Sequence, residues 1–484
     1  MTVVLDGASM TLGELVAIAE RNEPVELAEP ARARMERARV IVEDALSRGQ
    51  PVYGLTTGLA ERKRFSLGPG QRRTFNRLLV QSHRVAQGPA VAPQVVRAMM
   101  ACLVNGYAKG LAGVRPALAD MVIGALNEGF SPPVRSLGSL GQADLGPMAD
   151  LAEGLLVHSG FPIAENEGLA LVNCSAFATA SAVFAYLGAE RLLDTADVAA
   201  AFDLEAFAAN LDALHDLVVG ARPYPGIART VANLRHLLQA SSLWEPGAAR
   251  NLQDPLTFRC VPQIHGAGRD ALAYARGVIE TELNAAQGNP AVVEAERRLI
   301  SVGNSEMLHV AAAMDFVRIA LVPVLTSAAE RTVKLLQAPT SGLTAGLAAA
   351  AGTAEDALAE FAVASQSLVI EARTLAGPVS YELASTSKAE GIEDRTTMAP
   401  FSARRLAEMV DLGARVIAVE LLVAAQAADL RLLSRPGRGA RDAYERVRHL
   451  VPFTAPGEAP PEDLEPLVEA VRSGEIALVL RRGG

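Results

Sequence analysis

The chain is poor in cysteine, in aromatic side chains and in uninterrupted apolar runs. Three cysteines, Cys102, Cys174 and Cys260, stand among 484 residues. Their spacing fits neither a disulfide framework nor a zinc site, so a reducing compartment is expected. The seven histidines show no ligand spacing either, and no metal is expected. With a net charge of -9 and no clustered basic face, nucleic acid is excluded as a partner. The most apolar window, 310–324, is broken by Asp315 and Arg318, so no segment reads as membrane-spanning. The opening MTVVLDGASM has no basic stretch followed by an apolar one. No signal peptide is expected, and the cytoplasm is the expected location.

What is present is helix-forming and apolar. Hydrophobic residues make up 50% of the chain and aromatics only 4%. That balance favours helices packed closely on small side chains. The length predicts two or three domains, or one domain joined to a long helical body. Residues 31–49 carry apolar positions at helical spacing and stop at Gly49. A glycine-punctuated loop follows at 53–60. Residues 71–130 hold two or three helices with a break at 105–116. The stretch most dense in Gly, Pro and Ser, SPPVRSLGSLGQADLGP at 131–147, lies between helical runs, a favoured place for a site. Beyond about 165 the pattern is helical, with long runs at 306–336 and 401–431. The segment VELLVAAQAADL (419–430) is apolar all round and must be buried, in a bundle or against other subunits. Residues 452–464, rich in Pro and Glu, read as a surface connector before a last short helix.

Ten segments, in order and roughly in spacing, resemble the histidine/phenylalanine/tyrosine ammonia-lyase family. They are YGLTTG (53–58), LLVQSH (78–83), NGYAKGLAGVR (105–115), GSLGQADLGPMADLA (138–152), EGLALVN (167–173), QDPLTFRCVPQ (253–263), ELNAAQGNP (282–290), GN (303–304), ER (330–331) and EDRTTMAP (393–400). The resemblance spans residues 5 to 435. It implies a mainly α fold of the fumarase/aspartase type, with a mixed N-terminal active-site domain (1–190) and a long central helical bundle with a helical C-terminal region (191–484). It also implies a homotetramer whose active sites are shared between subunits.

Family members eliminate ammonia from an α-amino acid to leave an α,β-unsaturated acid. They use a methylidene-imidazolone electrophile cyclised from an internal Ala-Ser-Gly, and a base that removes the β-proton. The resemblance assigns that base to Tyr53. It assigns the grip on the substrate carboxylate to Arg259, a planar two-pronged donor. Asn173 is assigned a hydrogen bond near the amine or carboxylate, and Asn289 is expected nearby. His83 and Glu393 look like the histidine-selective members, where they can bond both edges of a polar ring; an apolar ring would leave them unpaired, which is costly. Arg64, with Arg62 and Lys63 just beyond the Tyr53 loop, could supply positive charge or bind an anion. Each of these residues also has an ordinary structural explanation: a buried tyrosine, a core histidine, an ion pair, a solvated basic patch.

The pattern breaks at the cofactor loop. The family reads Gly-Ser-x-Gly-Ala-Ser-Gly-Asp-Leu, whereas this chain reads Gly138-Ser139-Leu140-Gly141-Gln142-Ala143-Asp144-Leu145. Between intact flanks, three residues have become two. The serine that dehydrates and the glycine that closes the ring are both missing, so the electrophile is not expected to form and no cofactor is expected. Leu256, Ser305, Glu306 and Ile392 also depart from the family pattern. Gln142 either takes part in the chemistry or fills the vacated space. A helix starting near Asp144 would still aim its positive pole at the old cofactor position. These features predict a cofactor-independent C–N lyase acting on a histidine-like amino acid or betaine whose nitrogen is already a good leaving group, such as trimethylamine. Two alternatives stay open: another elimination or cyclisation on the same scaffold, or a non-catalytic paralogue that binds a small acid or joins a hetero-oligomer.

Overall fold

The computed structural model describes residues 2–381, 391–433 and 435–480. The chain forms two compact units. The first comprises Met1–Phe184, Arg276–Met314 and Val379–Arg404; the second comprises Ala185–Ala275, Asp315–Pro378 and Arg405–Gly484. The sequence suggested one cut, after residue 190, but the chain returns twice to the first unit. The reason is covalent: the helices Val261–Glu282, Leu308–Leu336 and Ala399–Arg431 each carry residues of both units, so most crossings between units fall inside helices, and the one at Pro378–Val379 falls in a loop.

The described residues of the first unit form short helices and three two-stranded ribbons. Val3–Leu5 pairs in parallel with Val25–Leu27, while Gln87–Ala90 pairs antiparallel with Arg135–Leu137, and Ala291–Val293 with Arg298–Ile300. The expected helical segments form as Glu29–Ser47, Pro69–Ser82, Pro93–Ala108 and Pro116–Asn127. Each of these four opens with a proline in its first turn, where the missing N–H leaves no bond unmade. Arg97 is buried, with no carboxylate partner among the described residues. It donates instead to the carbonyls of Ile18 (3.1 and 2.9 Å) and Leu126 (2.9 Å), near the C-terminal ends of two helices. Those ends carry partial negative charge, which suits a cation. Asn105 crosslinks distant segments by accepting from Gly7 N–H and donating to Leu283 O, both at 2.8 Å.

The second unit is a helical bundle. Within it Val419–Ala428 is buried throughout, as the apolar circumference of that segment required. Two long apolar stretches, Glu167–Phe207 and Leu308–Leu336, would by composition suffice to cross a bilayer, yet 78% and 56% of their most apolar windows are buried in protein. The bundle also buries charge. Arg331 donates to Asp203 (2.8 Å) and to Glu420 (2.9 and 2.6 Å), tying three long helices together at side chains with no exposed surface. Burial and the Glu420 carboxylate push the Asp203 carboxyl well above the usual range. Asp203 Oδ1 and Glu420 Oε2 have no other partner, and a proton held on Asp203 can bridge them. The cluster then approaches neutrality, the condition for burying it at tolerable cost.

Replacing Arg331 with Met leaves two carboxyls buried without their cation. The expected loss of stability is about 3–5 kcal/mol, read as a lower urea midpoint with an unchanged slope.

Candidate active site

The loop at 138–145 is held by a short network that begins with a buried acid. Asp144 is fully buried at the start of the helix Leu145–Ser159, where the sequence placed a helix start. Its carboxylate does not cap its own helix. Oδ1 accepts from Ser139 Oγ (2.5 Å) and Oδ2 from Ala178 N–H (2.7 Å), while its N–H donates to Cys174 O (2.9 Å). Ser139 Oγ in turn accepts from Gly141 N–H at 3.1 Å. Gly141 has φ +79° and no room for a side chain against Thr397. Ala143 takes φ +61° without that licence. A non-glycine residue in this region is strained by about 1–2 kcal/mol, and it persists because the surrounding bonds over-determine the loop.

Two of the predicted segments flank this loop. The EDRTTMAP segment is stitched onto it: Thr397 Oγ1 donates to Gly141 O (2.7 Å) and Met398 N–H to Leu140 O (2.9 Å). Glu393, four residues before Thr397, is exposed. On the other flank, the chain after His83 passes close enough that a side chain at Gly146 would meet Ala86 N at 3.2 Å. His83 itself is half-buried, with Nδ1 2.8 Å from Leu79 O. A carbonyl only accepts, so that geometry puts the proton on Nδ1 and leaves Nε2 as an acceptor in the neutral ring.

Asn173 ends the helix Glu167–Val172, and its amide donates to Asn289 O at 2.8 Å. Asn289 Oδ1 accepts from Val302 N–H, also at 2.8 Å. The two predicted asparagines are therefore brought together, each with a fixed amide orientation. Tyr53 sits in the tight turn before Gly54. Gly54 has φ +70°, and a β-carbon there would come within 2.5 Å of Leu169, so the turn lies directly on the helix that ends at Asn173. The Tyr53 hydroxyl accepts from Ala60 N–H at 3.1 Å. That donor serves hydroxyl and phenolate alike, and it leaves the proton side to another partner. Arg64 is exposed beyond this turn. Arg259 belongs to the second unit, where its Nε donates to Asp254 O at 3.1 Å.

Behind the asparagine pair lies a cavity of about 40 Å³, bordered by Cys102, Tyr107, Asn173, Cys174, Gln287 and Asn289. A space of this size admits water and nothing larger. Burial pushes both Cys102 and Cys174 up to about 12, so these thiols stay protonated and are not nucleophiles. Among the described residues no group of three or more His, Cys, Asp and Glu is placed to hold a metal.

One site residue was legible in the sequence only as a departure from pattern. Glu306 faces the cofactor loop: Gln142 and Glu306 form an isolated antiparallel bridge, and Gln142 Nε2 donates to Glu306 Oε2. Arg395 Nε reaches the same oxygen at 3.4 Å. The neighbouring Ser305 accepts from Ser175 Oγ (3.4 Å) through its carbonyl, next to the Asp144–Cys174 bond. Gln142, Asp144, Asn173, Asn289 and Glu306 thus belong to one contact network in the first unit.

A mixed first unit with a pinned glycine loop and a tyrosine turn packed on the helix that ends at Asn173, together with a helical second unit, define a lyase-type scaffold. The model for the aromatic amino acid lyase family matches residues 10–161 and 158–449. The chain is 33% identical to the histidine ammonia-lyase of Myxococcus xanthus over 507 residues, covering 99% of this chain and 98% of that one. Its fold superposes on ergothionase, the ergothioneine-degrading enzyme of Treponema denticola crystallised with desmethyl-ergothioneine sulfonic acid, with a TM-score of 0.92, 25% identity and coverage of 98% and 99%. It also superposes on tyrosine aminomutase from Streptomyces globisporus, with a TM-score of 0.91, 28% identity and coverage of 100% and 99%. The chain belongs to the aromatic amino acid lyase family, and at family level it is a carbon–nitrogen lyase.

Burial holds the Asp144 carboxyl up at about 6, against 3.8 for a free side chain. A raised acid favours folding in its protonated form. Its contribution is present below pH 3.8 and is lost as pH rises through 6, a change of roughly 3 kcal/mol. Asp144→Asn keeps an acceptor for Ala178 and a partner for Ser139 without the charge. Urea unfolding between pH 4 and 6 is expected to show the wild type losing stability relative to this variant.

Proposed function

We propose that this chain is a methylidene-imidazolone-independent C–N lyase that eliminates a tertiary amine from a histidine-derived betaine. The observation that carries the reading is Gln142. With Ala143 it occupies the place of the family's Ala-Ser-Gly, and its side chain is engaged by Glu306. No residue between Gly141 and Asp144 offers a hydroxyl to dehydrate.

Without an electrophile, a primary amine is a poor leaving group. A trimethylammonium group carries its own activation. It has no lone pair to attack an electrophile, and it leaves as a neutral amine. In this reading Tyr53 takes the β-proton, the C–H electron pair becomes the new C=C bond, and the C–N pair departs with trimethylamine. The amine end of the substrate lies at residues 142–143. Arg259, assigned by resemblance alone, holds the carboxylate, and His83 and Glu393 address the ring. The likeness to ergothionase supports a ring of this type. The partly exposed apolar side chains of Tyr274, Phe316 and Ile319 in the second unit support a homotetramer.

The test is an ultraviolet assay for a new α,β-unsaturated acid with histidine, its trimethylbetaine hercynine, and ergothioneine side by side. Product is expected from a betaine and not from histidine. Tyr53→Phe should then lower kcat by about 10²–10⁴-fold, the usual contribution of a positioned base. Turnover of histidine itself would overturn the reading. Silence with all three would remove the betaine assignment.

A further inference from the structure

Resting on that reading, we propose that Glu306 is the anionic subsite for the quaternary ammonium group and sets the enzyme's preference for a permanently charged nitrogen. The Glu306 carboxylate faces Gln142, where the reading puts the amine. With about a third of its side chain exposed, it is open to a ligand. Its acceptor capacity is largely committed. Oε2 takes Gln142 Nε2 and Arg395 Nε (3.4 Å), and Oε1 takes Leu308 N–H (3.2 Å). A primary ammonium would require acceptors for three N–H groups. A trimethylammonium has none to place and needs only a nearby negative charge. A carboxylate whose hydrogen bonds are already made supplies that field and little else.

Arg395 is the opposing charge. Its side chain is 47% exposed against 32% for Glu306, so solvent screens it more. It nevertheless weakens the attraction that Glu306 offers a cation. Elimination also discharges the nitrogen as the C–N bond breaks, so Glu306 stabilises the bound substrate more than the transition state. It therefore contributes to binding and not to the chemical step.

The test is steady-state kinetics on the betaine substrate with Glu306→Gln and Arg395→Gln. Glu306→Gln is expected to raise KM by about tenfold with kcat unchanged or higher. Arg395→Gln is expected to lower KM. A purely structural ion pair would make the two variants move KM in the same direction, and that result overturns the assignment. It is equally overturned if Glu306→Gln lowers kcat at unchanged KM. Arg395 is exposed, so its variant still decides the matter if Glu306→Gln fails to fold. Failure of the wild type to process any betaine defeats the underlying reading as well. Normal betaine turnover with unshifted KM in both variants defeats the Glu306 assignment alone.

Discussion

The buried Asp144 carboxylate is the fixed point of the candidate site. One oxygen holds Ser139 and through it the Gly141 amide; the other holds the first turns of the long helix at Ala178. The same residue's N–H anchors Cys174, beside Asn173. A single acid thus joins the cofactor loop to the segment carrying Asn173. Burying it is costly, which is why its carboxyl is held up at about 6. The loop around it accepts a left-handed alanine as part of the same arrangement. A loop held this firmly keeps its shape when its reactive residues change. In the proposed reading, the flanks remain intact while Gln142 and Ala143 stand for the family's three residues.

The second unit meets a different requirement. Its helices are rich in alanine and leucine, and apolar burial alone does not fix how they register. Arg331, Asp203 and Glu420 place one buried charge cluster across three helices, satisfied only when all three are aligned. A second cluster, His265–Asp197–Arg269, ties the helix Val261–Glu282 to the one carrying Asp203. Buried ion clusters are expensive if misaligned, so they penalise slipped packings more than they strengthen the correct one.

Much of this was readable in the chain itself. The helical pattern placed two or three helices within 71–130, where Pro69–Ser82, Pro93–Ala108 and Pro116–Asn127 form, and the apolar circumference of 419–430 required burial, because both signals are local. The helix start at Asp144 was equally local, following a Gly/Ser/Pro-rich loop. The discontinuous composition of the first unit was not readable, since nothing in residues 276–314 or 379–404 states which distant helices they meet.

The sequence by itself determined the family, the interrupted Ala-Ser-Gly and the candidate identities of Tyr53, His83, Asn173, Arg259 and Glu393, because these are matters of residue type and order. Tertiary structure decided the partners. It turned Asp144 away from its own helix toward Ser139 and Ala178, joined Asn173 to Asn289, set Gln142 against Glu306 and Arg395, and left Glu393 exposed. Hydrogen bonds and ion pairs act over a few ångströms between residues as far apart as 142 and 306, and only the folded chain brings such pairs within reach.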